Sequence, residues 1–384
     1  MHELETRDDF DLAQGIWLNA AHQGPLPRPA LEAAQRALAQ KAAPWSIRDD
    51  DFTAVPARLR AVIAGLIGAE QSDIILGNSA SYGIDLLAHG IEWNSSDEVL
   101  YVEGEFPASV FPWLAMAGRG VHISSFRAAE GNIPSADELR AHLRPHTRVF
   151  ICSWVNSFTG HTLDVDAVSR LCRDAGVIFV LNASQALGAR GLCVRDMAID
   201  AVTCCGYKWL LGPYATGFCW IDPEFRQRLA PPHTYWLPNV WGQTTGMESY
   251  SLRADLGARA FDVFAPASFL NSVPWTAALE YVARIGTAYI ERHNAELVGT
   301  LIGALDRGRY GLVSPECGAR RSAIVVIRSR NANVTAEELE RELTNAGIHA
   351  ATRNGALRLS PHFYNSRRQM ERTAMVLNTL SWPS

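Results

Sequence analysis

The stretch TCCGYKWLLGPYATGF, residues 203–218, sets a single lysine, Lys208, between a tyrosine and a tryptophan. It stands at the end of an apolar run and just ahead of a Gly-Pro turn. Lysine is strongly hydrated and belongs at the surface, so one framed this way either snorkels through its neighbours or is held there for chemistry. A structural lysine at a strand end is normally one of several, among polar residues. Lys208 has Cys204, Cys205, Tyr207, Trp209 and Leu210 around it instead. Partial desolvation favours the neutral amine, which is a nucleophile toward carbonyl carbon.

Outward from this stretch, the chain alternates between short apolar runs and amphipathic segments. DIILG, DEVLYVE, VHISSF, TRVFICSW, VIFVLN, DAVTCCG and TGFCWI read as strands. PALEAAQRALAQKAA and VPARLRAVIAGLIGA have the 3.6-residue period of helices. SADELRAHLR adds a capping box between Ser135 and Glu138, and DVDAVSRLCRDAG ends on Gly176. Nearly continuous apolar strands alternating with helices predict an α/β fold, with a mostly parallel sheet covered on both faces. Beyond residue 223 the pattern breaks into PPHTYWLPNVWGQTTGMESYS, a long aromatic loop of the kind that builds a site or an interface. A helical segment from about Asn271 to Leu305 follows. A βαβα-like ending comes last, with SAIVVIRS, the capped helix TAEELERELTNAG, GALRLS and NSRRQMERTAMVLNTL. The expected organisation is an N-terminal segment 1–28 near the site, a large domain 29–265, and a smaller α+β part 266–384.

Composition narrows the function. A formal net charge of −5, with acidic and basic residues mixed throughout, gives no basic surface for nucleic acid. The start, MHELETRDDFDL, lacks the basic and apolar regions of a signal peptide. No window approaches the roughly 18 consecutive apolar residues of a membrane span. The seven cysteines form no CxxC pair and no zinc-like spacing, so reduced thiols, a cytoplasmic setting and no metal are expected.

GYKWLLGPYATGF resembles the lysine motif of class V aminotransferase-fold enzymes, which use pyridoxal 5′-phosphate. IWLNAAHQGPLP, LGNSASYGIDLLA, EGEFPASVFPW, WVNSFTGHTLDV, NASQALGA and LRLSPHFYNS resemble further motifs of that family, in the family's order. The resemblance implies the fold type I of pyridoxal-phosphate enzymes and a homodimer. It makes Lys208 the covalent anchor and catalytic base. Ser79, Ala80 and Ser81 would open a helix onto the cofactor phosphate. Cys205 and Tyr207 stand where relatives often use Ser and His for that phosphate; a tyrosine hydroxyl can donate there, a thiol poorly. Phe106 would lie over the ring. Asn156 or Ser157, together with Gln185, would approach the phenolic oxygen. Arg358 would take the substrate α-carboxylate in a two-pronged hydrogen bond, with Asn19 and His22 beside it.

Three departures from the family refine this expectation. Asn182 occupies the position of the aspartate that faces the pyridine nitrogen, and an amide carries no charge to hold that nitrogen protonated. GIHAATRNGALRLS lacks the nucleophilic cysteine that desulfurases carry shortly before the arginine, and Cys317 lies well upstream. Phe264 and Ala265 replace the Gly-Thr that reaches the partner's phosphate, with Ser268 as a substitute. The expected activity is therefore C–S β-elimination from a cysteine S-conjugate, as in lincosamide antibiotic biosynthesis. Tyr235, Trp236 and Trp241 would accommodate a bulky substrate. The rivals are decarboxylation-coupled oxidative deamination, epimerisation, and a non-catalytic ligand-binding module.

Overall fold

The computed structural model describes residues 7–240 and 251–381. Seven strands form one sheet: β1 (Ile74–Gly77), β2 (Glu98–Val102), β3 (His122–Phe126), β4 (Thr147–Ser153), β5 (Ile178–Asn182), β6 (Ala201–Cys205) and β7 (Gly217–Ile221). Their spatial order is β1-β7-β6-β5-β4-β2-β3. β7 runs antiparallel to both its neighbours and the remaining pairings are parallel. All seven predicted strands are present. Alternate residues enter two different cores: Phe150, Cys152, Phe179, Leu181 and Val202 on one face, Val149, Ile151, Ile178, Val180 and Ala201 on the other. Both faces are thus buried, which is why these strands read as unbroken apolar runs.

The topology puts Ser153, Asn182 and Cys205, the last residues of three parallel strands, along one edge of the sheet. Gly217 joins them as the first residue of the antiparallel strand, paired with both Cys205 and Gly77. In open α/β sheets that edge is where ligands bind.

Helices cover the sheet. α1 (Arg28–Ala42) and α2 (Asp51–Ile67) pack on α6 (Phe269–Ile285). α3 (Ala80–Gly90), α4 (Ala136–His142) and α5 (Val165–Asp174) are three of the sheet's crossover helices. The Ser135–Glu138 capping box forms as expected, and Gly176 adopts φ 69° just past α5. The long helical segment differs from the prediction. It is two helices, α6 and α7 (Thr287–Ala304), broken at Gly286 with φ 87°. A non-glycine residue would be strained there.

A second sheet has four antiparallel strands, β8 (Tyr310–Leu312), β9 (Val325–Ser329), β10 (Ala351–Arg353) and β11 (Ala356–Leu359), in the order β10-β11-β9-β8. α8 (Ala336–Asn345) and α9 (Arg367–Thr379) pack with it. The N-terminal segment is tied to this part: Ile16–Trp17 pairs in parallel with Ile348–His349, and Ile16 and Leu18 are buried in its core. Among the described residues no helix is long and apolar enough to cross a membrane.

Candidate active site

Lys208 lies in the connection between β6 and β7, and close backbone packing holds it there. A Cβ on Gly24 would meet Lys208 O at 2.0 Å, and the Gly24 N–H donates to Tyr207 O at 2.9 Å. Trp275 fills the space over Gly206 and Gly212, where a Cβ would come within 2.4 Å and 2.3 Å of its ring. Glycine is required at these contacts because any side chain would push the lysine loop away. Lys208 is buried, at 8% exposure, with Nζ 5.3 Å from the Phe106 ring centre and 5.9 Å from that of Tyr207. Among the described residues no carboxylate forms an ion pair with it.

A chain of buried hydrogen bonds joins this loop to Arg358 on β11. Trp209 Nε1 donates to Gln185 Oε1 (3.0 Å), Gln185 Nε2 to Ser157 Oγ (3.1 Å), and Arg358 Nη1 to the same Oγ (2.9 Å) and to Ser157 O (3.2 Å). Arg358 Nη2 reaches Asn19 Oδ1 at 3.4 Å. The guanidinium is 1% exposed, no acid faces it among the described residues, and Nε has no partner. Burial, and secondarily the charge of Arg353, push its pKa down to about 9. Arg353 lies on the same face of the small sheet, because Ala351 pairs with Arg358 and strand side chains alternate. His22 is held below the usual imidazole range by partial burial, then by Arg353, Arg358 and Lys208.

The two residues left open for one role take different parts. The Asn156 amide is engaged at both ends, accepting from Phe158 N (2.9 Å) and Thr159 N (3.1 Å) and donating to Gly104 O (3.2 Å). It builds the turn that presents Ser157, whose hydroxyl is the group shared with Arg358. Both donors of Gln185 are already taken, by Ser157 and by Ala21 O at 3.0 Å. Gln185 therefore braces the N-terminal segment against the lysine loop, and gives a proton to a ligand only by exchanging one of these bonds.

At the sheet edge Ser79 caps α3, its hydroxyl accepting from Tyr82 N at 3.2 Å. Thr203 Oγ1 donates to Ala80 O at 2.6 Å, and Gly217 lets the helix start sit against β7, since a Cβ there would lie 2.7 Å from Ser79 N. The amides that open α3 lack intrahelical partners, the condition under which a helix start favours an anion. Cys205 is buried beside them, and Tyr207 is half-buried with its phenol pushed above the usual range, chiefly by burial. Phe106 stacks on Phe158, with ring centres 6.1 Å apart. Asn182 is buried, its Oδ1 accepting from Ser184 N (3.1 Å) and its Nδ2 donating to Ser109 Oγ (2.9 Å).

The structure thus gathers Lys208, Phe106, Ser157, Gln185, Arg358, Asn19 and His22 around one site. Ser79, Ala80 and Ser81 lie at the start of α3, Cys205 and Tyr207 at and just past the end of β6, and Asn182 at the end of β5. Phe264 is 57% exposed, Ala265 has φ 53°, and Ser268 caps α6 without a side-chain bond. Tyr235 packs on Phe264 with ring centres 5.9 Å apart, Trp236 is 61% exposed, and Trp241 lies outside the described residues. Sequence reasoning missed Trp209 as the partner of Gln185, and it missed Glu105 and Ser109, which underlie Asn182. The one signal for Glu105 is an acid set directly ahead of the apolar run FPASVFPW. Among the described residues no group of three or more His, Cys, Asp or Glu gathers as a metal site.

Known proteins are similar to this chain over nearly its whole length. It is 22% identical to a probable cysteine desulfurase of Methanothermobacter thermautotrophicus over 404 aligned residues, covering 99% of this chain and 98% of that protein. It is 26% identical to the isopenicillin N epimerase of Streptomyces clavuligerus, over 95% and 94% of the two chains. In fold it is similar to C-DES, solved as a mutant with glycine covalently linked to the PLP cofactor, at a TM-score of 0.87 and 22% identity over 98% and 99% of the chains. C-DES has also been solved as a cystine C–S lyase with its reaction product, cysteine persulfide (TM-score 0.86, 22% identity, 96% and 98% of the chains). Residues 16–373 match the aminotransferase class-V family, and the chain belongs to it.

Proposed function

We propose that this protein is a pyridoxal 5′-phosphate-dependent lyase that eliminates the sulfur substituent of a cysteine S-conjugate. One observation carries the reading: two buried cations without acidic partners, Lys208 and Arg358, are joined through Trp209, Gln185 and Ser157 into a single site. A buried guanidinium with an unpartnered Nε is costly unless an anion comes to it. Several relatives and fold neighbours are, by their names, cysteine desulfurases or a cystine C–S lyase.

The donor set fits pyridoxal phosphate. The α3 amides, Ser81 and the Tyr207 hydroxyl would hold the phosphate, Phe106 the ring face, Asn182 the ring nitrogen, and Ser157 with Gln185 the phenolic oxygen. When bound, the cofactor supplies an electron sink that makes the Cα–H bond of an attached amino acid acidic. Arg358 and Asn19 seat the substrate carboxylate and fix that bond within reach of Lys208. Lys208 Nζ takes the Cα proton. The Cβ–S bond then breaks with its electron pair leaving on sulfur, and hydrolysis gives thiol, pyruvate and ammonia. Cys317 is exposed, and residues 347–360 contain no cysteine, so the sulfur leaves with the product and is not transferred to the chain. We take the working unit to be a homodimer, in keeping with exposed Phe111, Trp236 and Phe264.

Borohydride reduction of the holoprotein followed by peptide mapping tests the anchor. The reading requires the pyridoxyl label on Lys208 and fails if the label lies elsewhere or nowhere. Product analysis with S-alkyl cysteines then separates the activities: pyruvate marks the lyase, carbon dioxide with peroxide the oxidative deaminase.

A further inference from the structure

Beneath Asn182 lies a carboxylate that the proposed mechanism does not use. Glu105 is buried at the end of β2, next to Phe106. Its oxygens accept from Phe106 N (2.6 Å), Ser153 N (2.6 Å), the Ser153 hydroxyl and the Ser109 hydroxyl. Ser109 is fully buried, and its Oγ accepts from Asn182 Nδ2 at 2.9 Å. The bond directions are fixed. Ser184 N needs Asn182 Oδ1 as its acceptor, so Nδ2 faces Ser109, and the Ser109 proton must point to Glu105. Every partner of Glu105 is then a donor, which suits the anion. Burial raises its pKa above the ordinary carboxylate value, and these donors offset part of that rise. The titratable group facing it is Cys152, whose thiol is pushed up by burial and by Glu105, and no cation pairs with Glu105 among the described residues.

We propose that Glu105, acting through Ser109, charges the Asn182 amide and takes over the role of a carboxylate at position 182, with the protonated pyridine nitrogen of pyridoxal phosphate as its ligand. The anion polarises the serine hydroxyl, which then draws harder on the Asn182 N–H. The amide oxygen gains negative charge and becomes the better acceptor, as successive bonds in a buried chain reinforce one another. Ser109 and Glu105 are therefore positioning residues, one and two hydrogen bonds removed from the amide. The proposal rests on the pyridoxal-phosphate reading of the site.

The test is 15N NMR of the holoprotein reconstituted with ring-15N pyridoxal phosphate, titrated with pH. Removing a charge three hydrogen bonds from the ring nitrogen, at an effective dielectric near 20, should lower its proton affinity by about tenfold. Glu105→Gln is expected to move its titration down by about one pH unit, and Ser109→Ala, which keeps the charge but cuts the relay, to move it down as well. Asn182→Asp in the Ser109→Ala background should move it back. Ser109→Ala leaves the other three bonds of Glu105 in place, so it decides the matter even if Glu105→Gln misfolds. A purely structural role would change melting temperature and leave the titration alone. If the variants bind cofactor at Lys208 and titrate as wild type does, the relay is wrong while the function stands. If the wild type itself binds no cofactor, both fall.

Discussion

Replacing Arg358 by methionine should leave the apoprotein at least as stable as the wild type while removing its affinity for amino-acid carboxylates. Depression of the guanidinium pKa to about 9 implies, at about 1.4 kcal/mol per unit below the ordinary arginine value, an order of 4–5 kcal/mol of burial cost in the folded state. The sign is unambiguous. A base with a depressed folded pKa is penalised at all pH values where it is charged in both states, so the cost is constant below about pH 9 and is relieved only above it. Methionine removes that charge at similar length. Against the gain stand the bonds to Ser157 and Asn19, of which the 3.4 Å contact is weak and the Ser157 hydroxyl keeps Gln185. Stranded acceptors cost about 1–3 kcal/mol each, so the net change lies between roughly zero and +3 kcal/mol. Urea unfolding of the two apoproteins near neutral pH measures it directly. Repeating the measurement with saturating S-methyl cysteine should stabilise the wild type and leave the variant unmoved. A variant destabilised by more than about 2 kcal/mol, or one that still gains stability from the ligand, would refute the claim that this cation is held for an absent anion.

Three other outcomes follow from the same packing. His362 is buried with its pKa lowered to about 3, contacting Trp209 O (3.2 Å) and Asn294 Nδ2 (3.1 Å). Its folded pKa lies below its unfolded value, so stability should fall from about pH 6.5 toward pH 3 by about 1.4 kcal/mol per pH unit, and pH-dependent urea midpoints should flatten there in His362→Gln. Gly24→Ala places a methyl group 2.0 Å from Lys208 O, so the lysine loop must shift; kcat should fall at least tenfold with circular dichroism unchanged. Arg60 and Asp262 form a buried ion pair, and Asp262 also accepts from Leu76 N at 2.9 Å, fastening the 256–266 segment to β1. Asp262→Ala strands the arginine and should cost about 3–5 kcal/mol in denaturant unfolding.

The large sheet was legible because its signal is local. Strands buried on both faces must be largely apolar, and the inner strands satisfy that rule within their own residues, while the edge strand β3 (HISSF) is partly exposed. Pieces of the small sheet escaped for the opposite reason. Tyr310–Leu312 is short and mixed, and its pairing with β9 depends on residues some 15 positions away. Ala351–Arg353 carried a readable sign in the Asn354-Gly355 turn, with φ of 50° and 66°, which marks a tight hairpin. The break at Gly286 was equally readable, since a glycine stopping a helix needs no tertiary partner. Site residues divide in the same way. Lys208 and Arg358 stood out as charges in apolar frames. The division of labour between Asn156 and Ser157, and the bond from Ser109 to Asn182, join residues that only the fold brings together.

The charges left unpaired in this site bear on which reaction it runs. Lys208, Arg353 and Arg358 make no ion pair among the described residues, and after burial their charges help to hold His22 below its usual range. In the proposed reaction the substrate carboxylate meets Arg358 and Lys208 serves as anchor and base, which leaves Arg353 with no assigned anion. Epimerisation creates no further anion. Elimination does, because the thiolate leaves with a full negative charge, and a cation facing it lowers that barrier and no other. Arg353, half-buried and diagonal to Arg358 across the β10–β11 pair, is the residue free to do this. Substitution by glutamine should therefore slow thiol release about tenfold while leaving the exchange of the Cα hydrogen with deuterated solvent nearly unchanged. Both rates can be read from one incubation with S-methyl cysteine. Equal losses in the two would place Arg353 in substrate binding instead, and an unchanged thiol rate would mean that departure of the sulfur draws nothing from this cation.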